Sequence, residues 1–289
     1  MKHAYFLNGK AVESKIALRF FDPAAVAVFE TLRIYNAHIF REAEHLERLR
    51  ESAQTAGLTP ALDLNEARRQ IRSAVKGCGQ AEASLRVTWN PSLGYLVMIG
   101  ERKLPHGVYA AGAVLQTSAV RRSLSNAAPP EAKTTDYMNA VLATLEPKAE
   151  GLRRTNKRHK VYETVFLDQQ GYVTEVRIGN LFIVDFCAKK PRLRTPPLEG
   201  ILNGVTRRFV IECALLQELE VREESLTRHE IYNASEAFLT NTSWEILPVR
   251  SLDGRLIGRF VPGQWTRRLH QFFRQRVLRE CPPPKSKGR

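Results

Sequence analysis

A short polar segment ahead of a predicted helix has the residue types needed to bind a phosphate group. Residues 202–207 (LNGVTR) lead directly into an amphipathic stretch, so the N–H groups of Val205 and Thr206 lie in its first turn. Unpaired N–H groups and the helix dipole favour anions there, and the threonine hydroxyl adds a donor. A threonine at a helix start can also act only as a cap, so both interpretations stay open.

A second cluster of small donors lies near the end of the chain. The stretch 239–249 (LTNTSWEILPV) places Asn241 and Thr242 at the end of a predicted strand. Such side chains can bind a phosphate or form an ordinary turn, and on their own they favour the turn.

Motifs that mark other common chemistries are missing from the sequence. The chain has no glycine-rich dinucleotide fingerprint, no P-loop, no Gly-x-Ser-x-Gly elbow and no His-Glu-x-x-His pair. Its four cysteines lie far apart, without zinc-finger spacing. We therefore expect reduced, mostly buried thiols and no metal site.

The elements that must position these segments begin with a mixture of strands and helices. An Asn-Gly pair at 8–9 predicts a tight hairpin. Helices are expected at about 42–56 and from Asp63 until Gly77 ends the second one. Further strands are expected at residues 84–89, 95–100 and 108–118. This mixture indicates an α+β fold.

A stretch rich in Ser, Asn and Pro at residues 121–132 predicts an interdomain linker. We expect a smaller α+β domain over 1–120, a larger domain over 133–280 and a frayed basic tail at 281–289. Helices are expected in the larger domain at residues 136–150, 204–219 and 264–278. Strands are expected there at residues 161–167, 172–176 and 180–185.

A formal net charge of +14 raises the question of an anionic partner. The basic residues are scattered and lack any nucleic-acid-binding motif, so we expect small anionic ligands rather than nucleic acid. No apolar run approaches the roughly 20 residues that span a bilayer. The first residues lack a signal-peptide pattern, and we expect a cytoplasmic protein.

Six segments, taken in their order along the chain, resemble the class IV, or fold-type IV, aminotransferases. They are residues 44–49 (EHLERL), 133–143 (KTTDYMNAVLA), 167–175 (LDQQGYVTE), 180–182 (NLF), 204–207 (GVTR) and 241–249 (NTSWEILPV). Branched-chain aminotransferases, D-amino acid aminotransferases and aminodeoxychorismate lyases belong to this family. The resemblance extends over about residues 5 to 273, and the ordered set is more specific than any single motif.

The resemblance implies that the cofactor is pyridoxal 5′-phosphate and that Lys133 binds it covalently. A partly desolvated lysine amine is nucleophilic and can move a proton at the substrate α-carbon. Glu175 matches the glutamate that pairs with the pyridine nitrogen and keeps the ring protonated. Arg48 matches an arginine that holds the phosphate. The remaining implied positions are Val205, Thr206, Asn241 and Thr242 at the phosphate and Asn180 in the loop after the glutamate.

Three departures from the family pattern leave the substrate open. Residues 25–28 (AVAV) replace a Gly-Asp-Gly stretch before Phe29, which we take as a candidate substrate contact. Residues 176–178 (VRI) replace small residues, and Arg177 either binds a substrate carboxylate or faces solvent. Asp136 follows Lys133 at the spacing of the D-amino acid and lyase branches.

The resemblance also implies an architecture and a reaction. We expect a two-domain fold-type IV subunit, with a small N-terminal α/β sandwich-like domain and a larger C-terminal β-barrel-like domain with helices, in a homodimer. The expected reaction is reversible transfer of an amino group between an amino acid and a 2-oxo acid. Two alternatives stay open: a lyase that converts aminodeoxychorismate to 4-aminobenzoate and pyruvate, and a non-catalytic basic binding protein.

Overall fold

The computed structural model of the chain describes residues 3–21, 26–101, 107–122, 131–135, 161–188 and 190–284. Two compact units make up the chain. The first unit comprises Met1–Lys103, Ala132–Asp136 and Arg274–Arg289, and the second comprises Leu104–Glu131 and Tyr137–Phe273. The predicted helix at 136–150 and the end of the basic tail lie outside the described residues. Within the described ranges, no helix has the length and apolarity to span a bilayer.

A six-stranded sheet with two helices forms the first unit. Its strands are β1 (Ala4–Leu7), β2 (Lys10–Val12), β3 (Val28–Tyr35), β4 (His38–Ile39), β5 (Ala83–Asn90) and β6 (Gly94–Gly100), in the spatial order β2-β1-β6-β5-β3-β4. The helices are α1 (Glu42–Thr55) and α2 (Leu64–Cys78). A 3₁₀ helix spans Ser14–Phe21.

The turns of the first unit follow from residues that tolerate left-handed backbone. Asn8 and Gly9 have φ of 48° and 78°, which confirms the predicted hairpin between β1 and β2. Helix α1 ends before Gly57, at φ 65°, as predicted. The predicted end of α2 at Gly77 is wrong, because Gly79 takes the left-handed position and Gly77 packs within the helix beside Phe6.

The core of the first unit lies between the helices and one face of the sheet. Leu46 and Leu49 of α1 and Ile71 of α2 are fully buried against strand residues such as Leu32 and Leu85. Their spacing places the apolar side chains of each helix on one stripe, so burying them fixes both helices on the sheet.

A nine-stranded sheet organises the second unit. Its strands are β7 (Ala113–Arg121), β8 (Glu163–Leu167), β9 (Val173–Val176), β10 (Asn180–Cys187), β11 (Lys190–Thr195), β12 (Glu220–Glu223), β13 (Glu236–Asn241), β14 (Glu245–Leu252) and β15 (Arg255–Leu256). The spatial order is β12-β11-β10-β13-β14-β7-β8-β9, with β15 paired to β14. The helices are α3 (Val108–Ala111), α4 (Val205–Leu215), α5 (Arg228–Tyr232) and α6 (Gln264–Glu280). The part of α6 that begins at Arg274 belongs to the first unit.

The two ends of this sheet curl towards each other. Leu226 follows β12 at one end of the strand order, and Val173 lies in β9 at the other end. The N–H of Val173 donates to the carbonyl of Leu226 at 2.7 Å, in an isolated antiparallel bridge. The sheet is therefore barrel-like, as predicted, and it removes an exposed edge.

Two element predictions in the second unit need correction. The strand expected at 108–118 begins only at Ala113, because residues 108–111 form one helical turn between Gly107 and Gly112, both with positive φ. The helix expected at 204–219 ends at Leu215, since Glu218 takes a positive φ of 56° and turns the chain into β12. The predicted hairpin around 168–171 is confirmed.

Candidate active site

Lys133 is held against strand β3 by its own backbone. Its carbonyl accepts the N–H of Phe29 at 3.0 Å, and its N–H donates to the hydroxyl of Ser52, on α1, at 3.0 Å. The next residue, Thr134, forms an antiparallel bridge with Val28. The half-buried Lys133 directs its Nζ over the ring of Phe29, 4.7 Å from the centroid. The backbone of this lysine is thus fixed by residues about 80 to 105 positions earlier in the chain.

Three buried polar side chains of the first unit form one network, which we call the Glu30 cluster: Glu30, His45 and Arg48. Arg48 donates from Nε to Glu30 Oε1 at 2.6 Å and from Nη2 to Oε2 at 2.8 Å, a two-point contact. His45 Nδ1 lies 2.7 Å from Glu30 Oε2. Because an ionised carboxylate only accepts, the imidazole nitrogen is the donor. Glu30 has no solvent-exposed surface.

The charges of the Glu30 cluster follow from burial and pairing. Burial by itself raises the pKa of Glu30, but the charge of Arg48 and the hydrogen bonds from His45 and Arg48 hold it well below its usual range. Burial lowers the pKa of His45, and the hydrogen bond and charge of Glu30 oppose that only in part. The cluster is therefore an ionised Glu–Arg pair with a neutral histidine.

Glu175 lies in β9 of the second unit with both carboxylate oxygens engaged. Arg122 donates to Oε1, and the N–H of Leu202 donates to Oε2 at 3.2 Å. Asn180 Nδ2 donates to the carbonyl of the same Leu202 at 3.1 Å. The structure thus brings Glu175 and Asn180 together at the segment that leads into α4. The role predicted for Asn180, in the loop after the glutamate, stays a prediction.

The start of α4 has the properties of an anion site, which we call the α4 seat: Gly204, Val205 and Thr206. No side chain caps this helix and no acidic residue lies in its first turn. The helix itself therefore supplies neither an acceptor for its first N–H groups nor a negative charge to offset its dipole. A Cβ at Gly204 would lie 2.2 Å from Asn180 Oδ1, so the close approach needs glycine. Thr240 Oγ1, on the neighbouring β13, is buried without a partner among the described residues. These features fit a phosphate group.

The predicted donors Asn241 and Thr242 lie in the turn between β13 and β14. Asn241 Oδ1 accepts the N–H groups of Ser243 and Trp244 at 2.8 and 2.6 Å, and its Nδ2 donates to the carbonyl of Ile178 at 2.9 Å. Its amide therefore builds the turn and ties it to the loop that follows Glu175. Thr242 is half-buried at the tip of that turn.

Arg177 does not simply face solvent. Its Nε donates to Oε1 of Glu163 at 3.1 Å, and its own N–H donates to the carbonyl of Thr164. Burial raises the pKa of Glu163, and the charge of Arg177 opposes that rise. The Arg177 side chain is 29% exposed, so part of it stays accessible beside a buried acid.

Several residues of the site were not expected from sequence. The sequence analysis did not assign a role to the residues Glu30, His45, Ser52, Arg122 and Glu163. The signal for Glu30 was present, since strand 28–35 is mostly apolar and a carboxylate within it must be paired if it is buried. His45 and Arg48 are three positions apart on α1, which places them on one helix face.

Comparisons with known proteins agree with this arrangement. Residues 27–252 match the family model described as "Amino-transferase class IV". The branched-chain-amino-acid aminotransferase of Escherichia coli (strain K12) is 31% identical over 268 residues, which cover 86% of this chain and 82% of that protein.

Solved structures give the same result. The crystal structure of the T.th. branched-chain amino acid aminotransferase with pyridoxamine 5′-phosphate has a TM-score of 0.82 and 28% identity, and the match covers 96% of this chain and 95% of that one. The same enzyme complexed with N-(5′-phosphopyridoxyl)-L-glutamate has a TM-score of 0.81 and 28% identity, with 96% and 95% of the two chains covered.

Proposed function

This chain belongs to the class IV aminotransferase family, and from that premise we propose that it transfers the amino group of a branched-chain L-amino acid to 2-oxoglutarate. The chain is a pyridoxal-phosphate-dependent aminotransferase. The substrate proposal draws on the names of its relatives, which act on branched-chain amino acids, and on the glutamate adduct bound by one of them.

We assign Lys133 to the covalent attachment of the cofactor and to proton movement at the substrate α-carbon. When bound, the protonated pyridine ring of the cofactor acts as an electron sink for the α-carbanion. Glu175, which accepts hydrogen bonds from Arg122 and from the Leu202 N–H, would hold the proton at the ring nitrogen. Lys133 would act through its Nζ, which in the amine form can take up the α-proton of the substrate and return it.

We assign the cofactor phosphate to the α4 seat, Thr242 and Arg48. Val205 and Thr206 supply N–H groups and a hydroxyl, and Arg48 supplies a guanidinium whose orientation the Glu30 cluster sets. Phe29 and Arg177 are our candidates for substrate contacts. Phe29 presents an apolar face beside the Lys133 amine, and Arg177 has a partly accessible side chain for a carboxylate.

The observation that carries the proposal is the anchoring of Lys133 to β3 and α1, with its amine above the Phe29 ring. A reactive amine needs a fixed approach to its target, and backbone hydrogen bonds on both sides of the residue supply it.

Spectra and substrate assays test this function. The purified protein should absorb near the edge of the visible range, Lys133→Ala should abolish that band, and Lys76→Ala, at an exposed lysine of α2, should retain it. Leucine, isoleucine and valine should each yield glutamate from 2-oxoglutarate, whereas D-alanine should not. Release of 4-aminobenzoate from aminodeoxychorismate, without transamination of any amino acid, would overturn the proposal in favour of the lyase.

We further propose a cytoplasmic homodimer. Family resemblance supports the dimer, and the four free cysteines, including the exposed Cys187, accord with a reducing compartment. Light scattering on the eluting protein should give twice the 32.8 kDa chain mass. A mass of one chain at all concentrations tested would contradict the dimer.

A further inference from the structure

A cleft of about 700 Å³ opens in the second unit, lined by strand β7, the start of α5 and the turn between β14 and β15. Three arginines, Arg121, Arg228 and Arg255, line it together with His229, and we call this the arginine cleft. Its volume lies within the range of small-molecule sites in proteins.

The one acidic residue among the described residues that line the cleft is bonded to two uncharged side chains. Asp253 accepts from the N–H and the hydroxyl of Thr117, both at 2.6 Å, and from the hydroxyl of Tyr232 at 2.8 Å. Burial and the bond to Asp253 raise the pKa of Tyr232, so the phenol remains a donor. The Asp253 carboxylate therefore bonds Thr117 and Tyr232, which also line the cleft. Among the described residues it forms no ion pair with the arginines of the cleft.

The other nearby acid is also engaged elsewhere. Glu230, two residues after Arg228, accepts from Thr227 in a capping box and from Arg194 at 2.5 Å. By contrast, Arg194 itself contacts three carboxylates, and Arg192 is paired with Asp185. Within the described ranges of the chain, carboxylates pair with those arginines, whereas no ion pair involves the three arginines of the cleft.

The arginines are positioned rather than scattered. The guanidinium of Arg255 stacks on the Tyr232 ring at 4.7 Å, and its Nη1 donates to the Asp253 carbonyl at 3.3 Å. Arg228 lies close enough for its charge to act on the same Tyr232 hydroxyl. The three arginines of the cleft are exposed and so accessible to a ligand, and planar guanidinium groups suit phosphate oxygens.

The arginine cleft is separate from the α4 seat and from Thr242. Thr242 precedes the first residue of β14, and Asp253 follows its last. At roughly 3.3 Å per residue, the eight residues of the strand separate them by about 25 Å.

We propose that the arginine cleft binds a small molecule carrying at least two phosphate groups, at a site independent of the cofactor. Two or three guanidinium groups suit a ligand with two phosphate groups better than they suit a ligand with one. The cofactor has a single phosphate, which the α4 seat would hold. The inference does not depend on the amino acid substrate proposed above.

Calorimetric titration of the cofactor-loaded protein with inorganic pyrophosphate at constant ionic strength tests this. We expect one site per chain, and at least about tenfold weaker binding in Arg228→Ala/Arg255→Ala, because each charged hydrogen bond lost lowers affinity. The control Arg222→Ala/Arg259→Ala removes the same charge from exposed positions outside the cleft and should bind like the wild type.

Three outcomes would overturn the proposal. They are no pyrophosphate binding by the wild type, equal weakening in both double variants, and binding that an inhibition assay shows to be competitive with the cofactor or the amino acid. If an RNA duplex bound more tightly than pyrophosphate through the same arginines, the ligand of the cleft would be a nucleic acid and not a small molecule. Thermal unfolding of both variants shows whether each is folded.

Discussion

The Glu30 cluster and the α4 seat each contain groups suited to an anion, but they are built in opposite ways. In the cluster, three side chains satisfy one another by short hydrogen bonds inside the core of the first unit. In the seat, backbone N–H groups stand uncapped and a glycine keeps the space open. The first is sensitive to the loss of a single charge, and the second to the gain of a single carbon atom.

This difference shows two kinds of preorganisation of polar groups, one in each unit. A buried ion pair costs desolvation and is stable only while both partners are present. A helix start carries partial charges that need no partner in the fold, since the dipole comes from the backbone itself. The following variants separate the two cases.

Breaking the ion pair should give the largest change in stability. Glu30→Gln removes the carboxylate that makes a two-point contact with the buried Arg48, and we expect a loss of about 3 kcal/mol of unfolding free energy in chemical denaturation. Glu47→Gln, which removes an exposed partner of Arg50, should cost less than about 1 kcal/mol. Glu30→Gln/Arg48→Met should be more stable than Glu30→Gln alone. Equal stabilities of the two variants would argue that the charge of Arg48 does not cause the loss in Glu30→Gln.

Filling the α4 seat should give the next largest effect. Gly204→Ala places a Cβ 2.2 Å from Asn180 Oδ1, and we expect a loss of about 2 kcal/mol in stability together with weaker binding of pyridoxal 5′-phosphate. Gly77→Ala, inside α2, should change stability by less than about 1 kcal/mol and leave cofactor binding intact. Restored cofactor binding in Gly204→Ala/Asn180→Ala would identify the clash as the cause. Unchanged binding in Gly204→Ala would show that the seat is not used.

Only the Glu30 cluster should give a strong dependence of stability on pH. The folded pKa of His45 is lowered, so its contribution is complete above the unfolded value of about 6.5 and is lost as the pH falls below it. Glu30, also lowered, adds a further loss below its unfolded value of about 4.3. Denaturation between pH 7 and 5 should show His45→Gln with a shallower slope, by up to about 1.4 kcal/mol per pH unit. His38→Gln, at an exposed position of β4, should keep the wild-type slope.

The smallest effect concerns the link between the cluster and the lysine. Ser52 accepts the Lys133 N–H and donates to the Arg48 carbonyl at 2.8 Å, so Ser52→Ala should cost about 1 kcal/mol in stability. We also expect a lower kcat with little change in KM, because the amine loses a fixed position. Ser73→Ala, on the exposed face of α2, is the control. A changed KM with an unaltered kcat would mean that Ser52 serves substrate binding instead.

Much of the fold was predictable because it depends on local spacing. The Asn-Gly turn, the stripe of leucines on α1 and the hairpin around 168–171 each need only a few neighbouring residues. The errors lie where packing competes with local preference. Gly77 stays helical beside Phe6, and residues 108–111 form a helical turn in a stretch that reads as a strand.

The sequence by itself determined the family of this protein, because a lysine, a glutamate and the segments predicted to bind phosphate follow one another in the order of the class IV aminotransferases, at short and constant spacings. Only the tertiary structure decided what surrounds them. Glu30 reaches Arg48 across 18 positions, Lys133 joins β3 across more than 100, and the arginine cleft collects residues from 121 to 255. For Glu30 and Arg48 the physical reason is burial. A charge removed from water is stable only beside a compensating group, and the tertiary structure decides which residue supplies it.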